Sequence, residues 1–110
     1  VHVDDAVSAY LALAERVDDP AIRGRGWNFG PGRSHAVLEV VNLLRALMDA
    51  TALEPVILGQ AVGEIRDQHL DPTAARDILG WSASITLEDG LTRTIPWYRE
   101  RLGATHGRVP

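Results

Sequence analysis

Apolar residues recur at helical spacing in three stretches of the chain. Val7, Tyr10, Leu11, Ala14 and Val17 return every three or four positions, which predicts a helix with one apolar face. Asp4 and Asp5 stand where carboxylates favour a helix N-terminus, and Asp18-Asp19-Pro20 ends the pattern. Val37, Val41, Leu44 and Met48, widened by Val40 and Leu47, predict a second helix over residues 36–48. Leu87, Leu91, Ile95, Tyr98 and Leu102 predict a last helix after Thr86, with Asp89 placed as in a capping box. Pro96 lies inside that stripe, removes a backbone donor and is expected to kink the helix. Between these, Asp71-Pro72 and Gly80 bound a two-turn helix sharply, with Pro at its first position and Gly just past its end.

The remaining apolar runs are short and read as strands. Residues 1–3 form the end of one, and 27–29 another, closed by Gly30-Pro31-Gly32. Residues 56–58 are a third, and 64–70 is a polar stretch suited to an edge strand. The expected fold class is therefore a small mixed α/β unit. Strands this isolated do not make a stable sheet, so part of the sheet is expected to lie in other sequence. Residues 103–110 are expected to form a flexible tail.

Composition narrows the chemistry. The 110 residues suit one domain, and 45% hydrophobic with 24% charged residues is a globular profile. No apolar run reaches the roughly 20 residues of a membrane helix. There is no cysteine, which excludes disulfides, thiol catalysis and Cys-ligated metals. The net charge of -4 argues against nucleic acid as partner. All 11 basic residues are arginine, so mechanisms that need lysine are excluded. The chain opens Val1-His2-Val3 without a charged-then-apolar leader, so a cytoplasmic location is expected, as is a longer parent protein.

Few residues suggest a site. His2-x-Asp4 lacks convergent partners for a metal, and the other histidines are scattered. Ser8 and Ser34 have no nucleophile-elbow context. Gly30-Pro31-Gly32 precedes a helix but lacks the spacing of a dinucleotide loop, so a turn is the better reading. Gly63-Glu64-Ile65-Arg66-Asp67 stands out. Arg66 suits a phosphate oxygen, because guanidinium makes charge-assisted, two-pronged bonds. A solvated ion-pair cluster is the competing reading.

Four segments, in order, carry a family resemblance over nearly the whole chain. Val1-His2-Val3-Asp4-Asp5-Ala6-Val7 resembles a strand-to-helix junction of the NAD-dependent epimerase/dehydratases, the extended short-chain dehydrogenase/reductases. Trp27-Asn28-Phe29-Gly30-Pro31-Gly32 resembles their Asn-x-Gly-x-Gly strand. Gly63-Glu64 through Leu79-Gly80-Trp81 resembles their Gly-acid…Leu-Gly-Trp segment, and Leu87-Glu88-Asp89-Gly90-Leu91 through Trp97-Tyr98 their closing helix. Within the family the chain is most similar to sugar-nucleotide 4,6-dehydratases of the CDP-glucose or GDP-mannose type.

The resemblance implies a C-terminal substrate-binding lobe, residues 31–102, and an edge slice of a Rossmann domain, residues 1–30. The N-terminal dinucleotide-binding part is missing. Family members use NAD and a Tyr-x-x-x-Lys pair. Here Tyr10 is followed four residues on by Ala14, and Tyr98 by Leu102. This chain alone is therefore expected to be non-catalytic and to bind no NAD, although NAD is implied for a full-length member. Its implied ligand is a nucleoside-diphosphate sugar, with Arg66, Glu64 and Asn28 as substrate-binding residues. Ala61 stands where many relatives place a diphosphate-binding Arg, and this departure favours the alternative, a stand-alone interaction or remnant domain. The implied protein partner is the missing Rossmann domain or a second copy of the chain. Without it, Val7, Tyr10, Leu11 and Phe29 are expected to be more exposed than their pattern suggests.

Overall fold

The computed structural model describes residues 1–60, 63, 65 and 68–106. It resolves into two compact units, one of residues 1–34 and 60–85, the other of 35–59 and 86–110.

The first unit is organised by helix α1 (Val3–Ala14). The expected strand at residues 1–3 does not form. His2 is instead the N-cap, with extended backbone and a ring nitrogen that accepts from the Asp4 N–H. The reason is local: a cap together with Asp4 and Asp5 in the first turn specifies a helix start, and no neighbouring strand competes for residues 1–3. The helix ends at Ala14, before the predicted stop, and turns carry the chain to Ile22, which is buried.

The face that α1 turns inward is not its apolar stripe. Asp5 and Ala9 are buried and Ala12 packs on the core, whereas Val7, Tyr10 and Leu11 are exposed, Tyr10 at 76%. Small residues let the helix approach closely, and Trp81 fills the space. Ala9, Ala75 and Trp81 form the buried cluster, with Trp27, Phe29, Leu79 and Ala83 packed around it. Phe29 departs from the expectation of exposure. Its ring meets Trp81 edge-on at 4.9 Å and 84°, a favoured aromatic geometry.

The predicted two-turn helix is present with a different winding. Asp71 accepts from the Thr73 N–H at its start, but residues Ala75–Leu79 form a π-helical turn. Gly80 closes it in the left-handed region (φ 70°), and the Gly80 and Trp81 N–H groups donate to the Arg76 and Ala75 carbonyls. This cap delivers Trp81 to the core. A side chain at φ 70° costs about 1–2 kcal/mol. Gly80→Ala is accordingly expected to lower the unfolding free energy by about 1–2 kcal/mol, read as a lower urea midpoint at an unchanged m-value.

The second unit holds α2 (Val37–Leu47) and α3 (Leu87–His106), which pack on each other. Thr86 caps α3 as predicted: its hydroxyl accepts from the Asp89 N–H and donates to the Asp89 carboxylate. Helix α3 runs through Gly103 to His106, so the first part of the predicted tail is helical, and residues 107–110 lie outside the described residues. Ala36 precedes α2 without a side-chain cap, and Glu39 pairs with His35 at 2.8 Å. No residue of α2 is buried. Leu44 and Met48 of its stripe join Leu91, Ile95, Tyr98 and Leu102 around an apolar groove of about 340 Å³.

Among the described residues no strand forms, and the helical part of the expected mixed α/β class is what the structure shows. Residues 27–29, 56–58 and 68–70 form neither helix nor strand. A strand exists only through backbone bonds to a neighbour, and none of these segments forms such a ladder. Val56, Ile57 and Leu58 are all exposed, at 82%, 75% and 69%. Neither face of that segment is covered.

Candidate functional site

Asn28 is the one predicted site residue whose position is described. Glu64 and Arg66 lie outside the described residues, as does Ala61. Asn28 sits in the irregular segment between Trp27 and Phe29. Both neighbours pack against the Trp81 cluster, whereas Asn28 is exposed. Above Trp27, the Arg25 guanidinium lies 5.2 Å from the ring centre, in cation–π range.

The turn that follows is built into a second wall. The backbone of Gly30 is buried, and a Cβ placed there would stand 3.6 Å from the Leu70 carbonyl oxygen. At Gly32, which has φ 72°, it would stand 3.6 Å from Pro72 Cγ. The 30–32 turn is thus in contact with residues 70–72, the C-terminal flank of the Gly63–Asp67 segment. Hydrogen bonds from the Thr73 side chain and N–H hold the Asp71 carboxyl below the usual carboxylate range, so this flank carries a fixed negative charge.

The strongest polar arrangement is one that sequence reasoning missed. Asp5 is 2% exposed, and its carboxylate accepts three hydrogen bonds from 79 and 80 residues away. They come from the Ser84 N–H at 3.0 Å, the Ser84 hydroxyl at 2.9 Å and the Ile85 N–H at 3.1 Å. Burial alone would raise the Asp5 pKa. The bonds from Ser84 and Ile85, with the charge of His2, outweigh it and leave the value lowered. One turn on, Trp81 Nε1 donates to Ser8 Oγ at 2.8 Å, and that hydroxyl donates to the Asp5 carbonyl. Just past the end of α1, Arg16 donates to the Ile78 carbonyl and to Asp19. The Asp4-Asp5 pair reads locally as helix-start chemistry, so nothing in its neighbourhood signals a partner so distant in sequence.

These bonds fix structure rather than perform chemistry. The Ser8 hydroxyl is engaged as donor and as acceptor and has no histidine beside it, so it is not an activated nucleophile. Among the described residues no group of three or more His, Asp or Glu side chains is placed to hold a metal ion. No helix among them is long and apolar enough to cross a membrane. What the arrangement offers is a surface: exposed Asn28, the Gly30–Gly32 turn and the flank at residues 70–72.

No family model matches the chain, and no solved structure does. Curated proteins do. The chain is 31% identical over 101 residues to the UDP-glucose 4-epimerase of Mycolicibacterium smegmatis, covering 92% of this chain and 31% of that protein. It is 30% identical over 110 residues to the dTDP-glucose 4,6-dehydratase of Streptomyces griseus, covering 100% and 32%. It is 28% identical over 102 residues to UDP-glucuronic acid decarboxylase 1 of Xenopus tropicalis, covering 92% and 23%. The chain spans about a third or less of the length of these relatives.

Proposed function

We propose that this chain, a homologue of the NAD-dependent epimerase/dehydratases, is the C-terminal sugar-nucleotide-binding portion of an NAD-dependent sugar-nucleotide 4,6-dehydratase or epimerase, and is not catalytic alone. The observation that carries the reading is the likeness over 92–100% of the chain to enzymes named for nucleoside-diphosphate sugars. The proposed ligand is that shared substrate class.

The proposed site joins Asn28 to Arg66 and Glu64. The turn after Asn28 touches Leu70 and Pro72, and Arg66 is four residue steps from Leu70, a span of at most about 14 Å. An arginine there stays charged at any working pH and can grip two diphosphate oxygens. Glu64 is assigned to the sugar hydroxyls, which a carboxylate accepts from.

No step through NAD is assigned to these residues. Gly30 and Gly32 are packed on Leu70 and Pro72, which supports a turn rather than an open pyrophosphate cradle. The chain also has no lysine for a Tyr-x-x-x-Lys pair. The exposed Val7, Tyr10 and Leu11 of α1 suit a Rossmann domain as the covering partner, with residues 1–30 at its edge and 31–102 as the substrate lobe. Joined to that sheet, segments 27–29 and 56–58 become strands, and the assembly is α/β.

Titrating the ¹⁵N-labelled chain with UDP-glucose and with dTDP-glucose tests the reading. Shift changes are expected at Asn28 and over residues 63–70, and none on adding NAD. Arg66→Ala is expected to weaken binding by about 1.5–3 kcal/mol, the range for a hydrogen bond to a charged group. Its thermal midpoint should change little. A chain that binds neither sugar nucleotide, with the dinucleotide-binding part of the parent enzyme supplied, would overturn the reading in favour of a remnant interaction domain.

A further inference from the structure

One ring nitrogen at the start of α1 faces two partners that it cannot serve together. His2 Nδ1 lies 3.2 Å from the Asp4 backbone nitrogen and 3.5 Å from the Asp4 carboxylate. Accepting from the N–H requires a lone pair on Nδ1, so the ring must be neutral there. Pairing with the carboxylate requires a proton on the same atom. The His2 side chain is 11% exposed, and the Asp4 side chain 64%.

We propose that His2 is a proton-operated cap of α1. The neutral ring holds the Asp4 N–H and fixes the first helical turn. The protonated ring gives up that bond and donates to the Asp4 carboxylate instead.

The surroundings make both states accessible. A cation at a helix N-terminus opposes the macrodipole, but Asp4 and Asp5 stand in the same turn and offset it. The charge of His2 also helps to lower the pKa of the buried Asp5, less than the bonds from Ser84 and Ile85 do. In the 110-residue chain the Val1 amino group also stands next to His2. Residues 81–85, which bond to Asp5 across from it, carry no charged side chain. Histidine suits such an exchange because one ring nitrogen can either accept or donate. Val3, the first residue of the uncovered apolar face, belongs to the turn that the cap holds. Protonation therefore loosens the point where that face begins.

The test is an NMR titration of the ¹⁵N-labelled 110-residue chain from pH 8 to 5.5. The Asp4 amide resonance is expected to move with the same midpoint as the His2 ring carbons. Its exchange protection, corrected for the intrinsic rate, should fall about fivefold, the equivalent of a lost N-cap. His2→Asn keeps a capping side chain that does not titrate, so its Asp4 amide should stay flat across the range. Asp4→Asn removes the acceptor of the protonated ring, so the His2 midpoint should move to lower pH. An Asp4 amide that ignores the His2 titration would overturn the proposal. So would a His2→Asn variant with an unchanged pH response, which would assign the effect to the Val1 amino group.

Discussion

Trp81→Ala is expected to destabilise the first unit by about 3–5 kcal/mol, the range for truncating a large buried aromatic. Trp81 is 6% exposed and is the only large side chain in a buried cluster that otherwise consists of Ala9 and Ala75. Alanines cannot close the space it would leave. The change also strips Phe29 of its edge-on partner and the Ser8 hydroxyl of its donor. Domains are commonly stable by only about 5–15 kcal/mol, so a loss of this size removes much of the margin. Trp81→Phe separates packing from polarity. It keeps a ring but deletes the indole N–H, and should cost about 1 kcal/mol through the lost hydrogen bond, plus a smaller packing loss. Urea unfolding followed by far-UV circular dichroism measures both variants. Equal midpoints for Trp81→Ala and the parent chain would show that the cluster does not organise the unit.

Asp5→Ala is expected to cost about 2–4 kcal/mol, because it leaves the Ser84 and Ile85 N–H groups without their acceptor at about 1–3 kcal/mol each when water cannot fully replace it. Asp5→Asn should recover part of this, since its amide oxygen still accepts while its NH₂ opposes the donors. The same bonds set a pH dependence. The folded-state pKa of Asp5 is lowered, so its stabilisation is fully present above the unfolded value near about 3.9. It is lost as the pH falls through the lower folded value. Stability of the parent chain should therefore decline below about pH 4 more steeply than that of Asp5→Asn. Parallel acid denaturation curves for the two would show that Asp5 is not charged in the folded state.

Local sequence determined the helices. Their spacing, the Thr86–Asp89 cap and the Gly80 terminus act within a turn or two, so the residues that decide them are adjacent and legible. The order of four short motifs likewise carried the family likeness, because homology is written along the chain. What sequence could not decide was which face of a helix meets what. The apolar stripe of α1 predicts its own burial, yet the fold turns Asp5, Ala9 and Ala12 inward and leaves Val7, Tyr10 and Leu11 outside. Helical periodicity reports that a face is apolar, but the partner of that face is set by the rest of the structure. Strands fail for the same reason. Residues 56–58 have the composition of a strand, but a strand is a relation between two segments, and here neither face nor edge is paired. Asp5 shows the converse. Its role as the acceptor that joins α1 to Ser84 and Ile85 depends on contacts across 79 and 80 residues. Only tertiary structure brings those donors to one carboxylate.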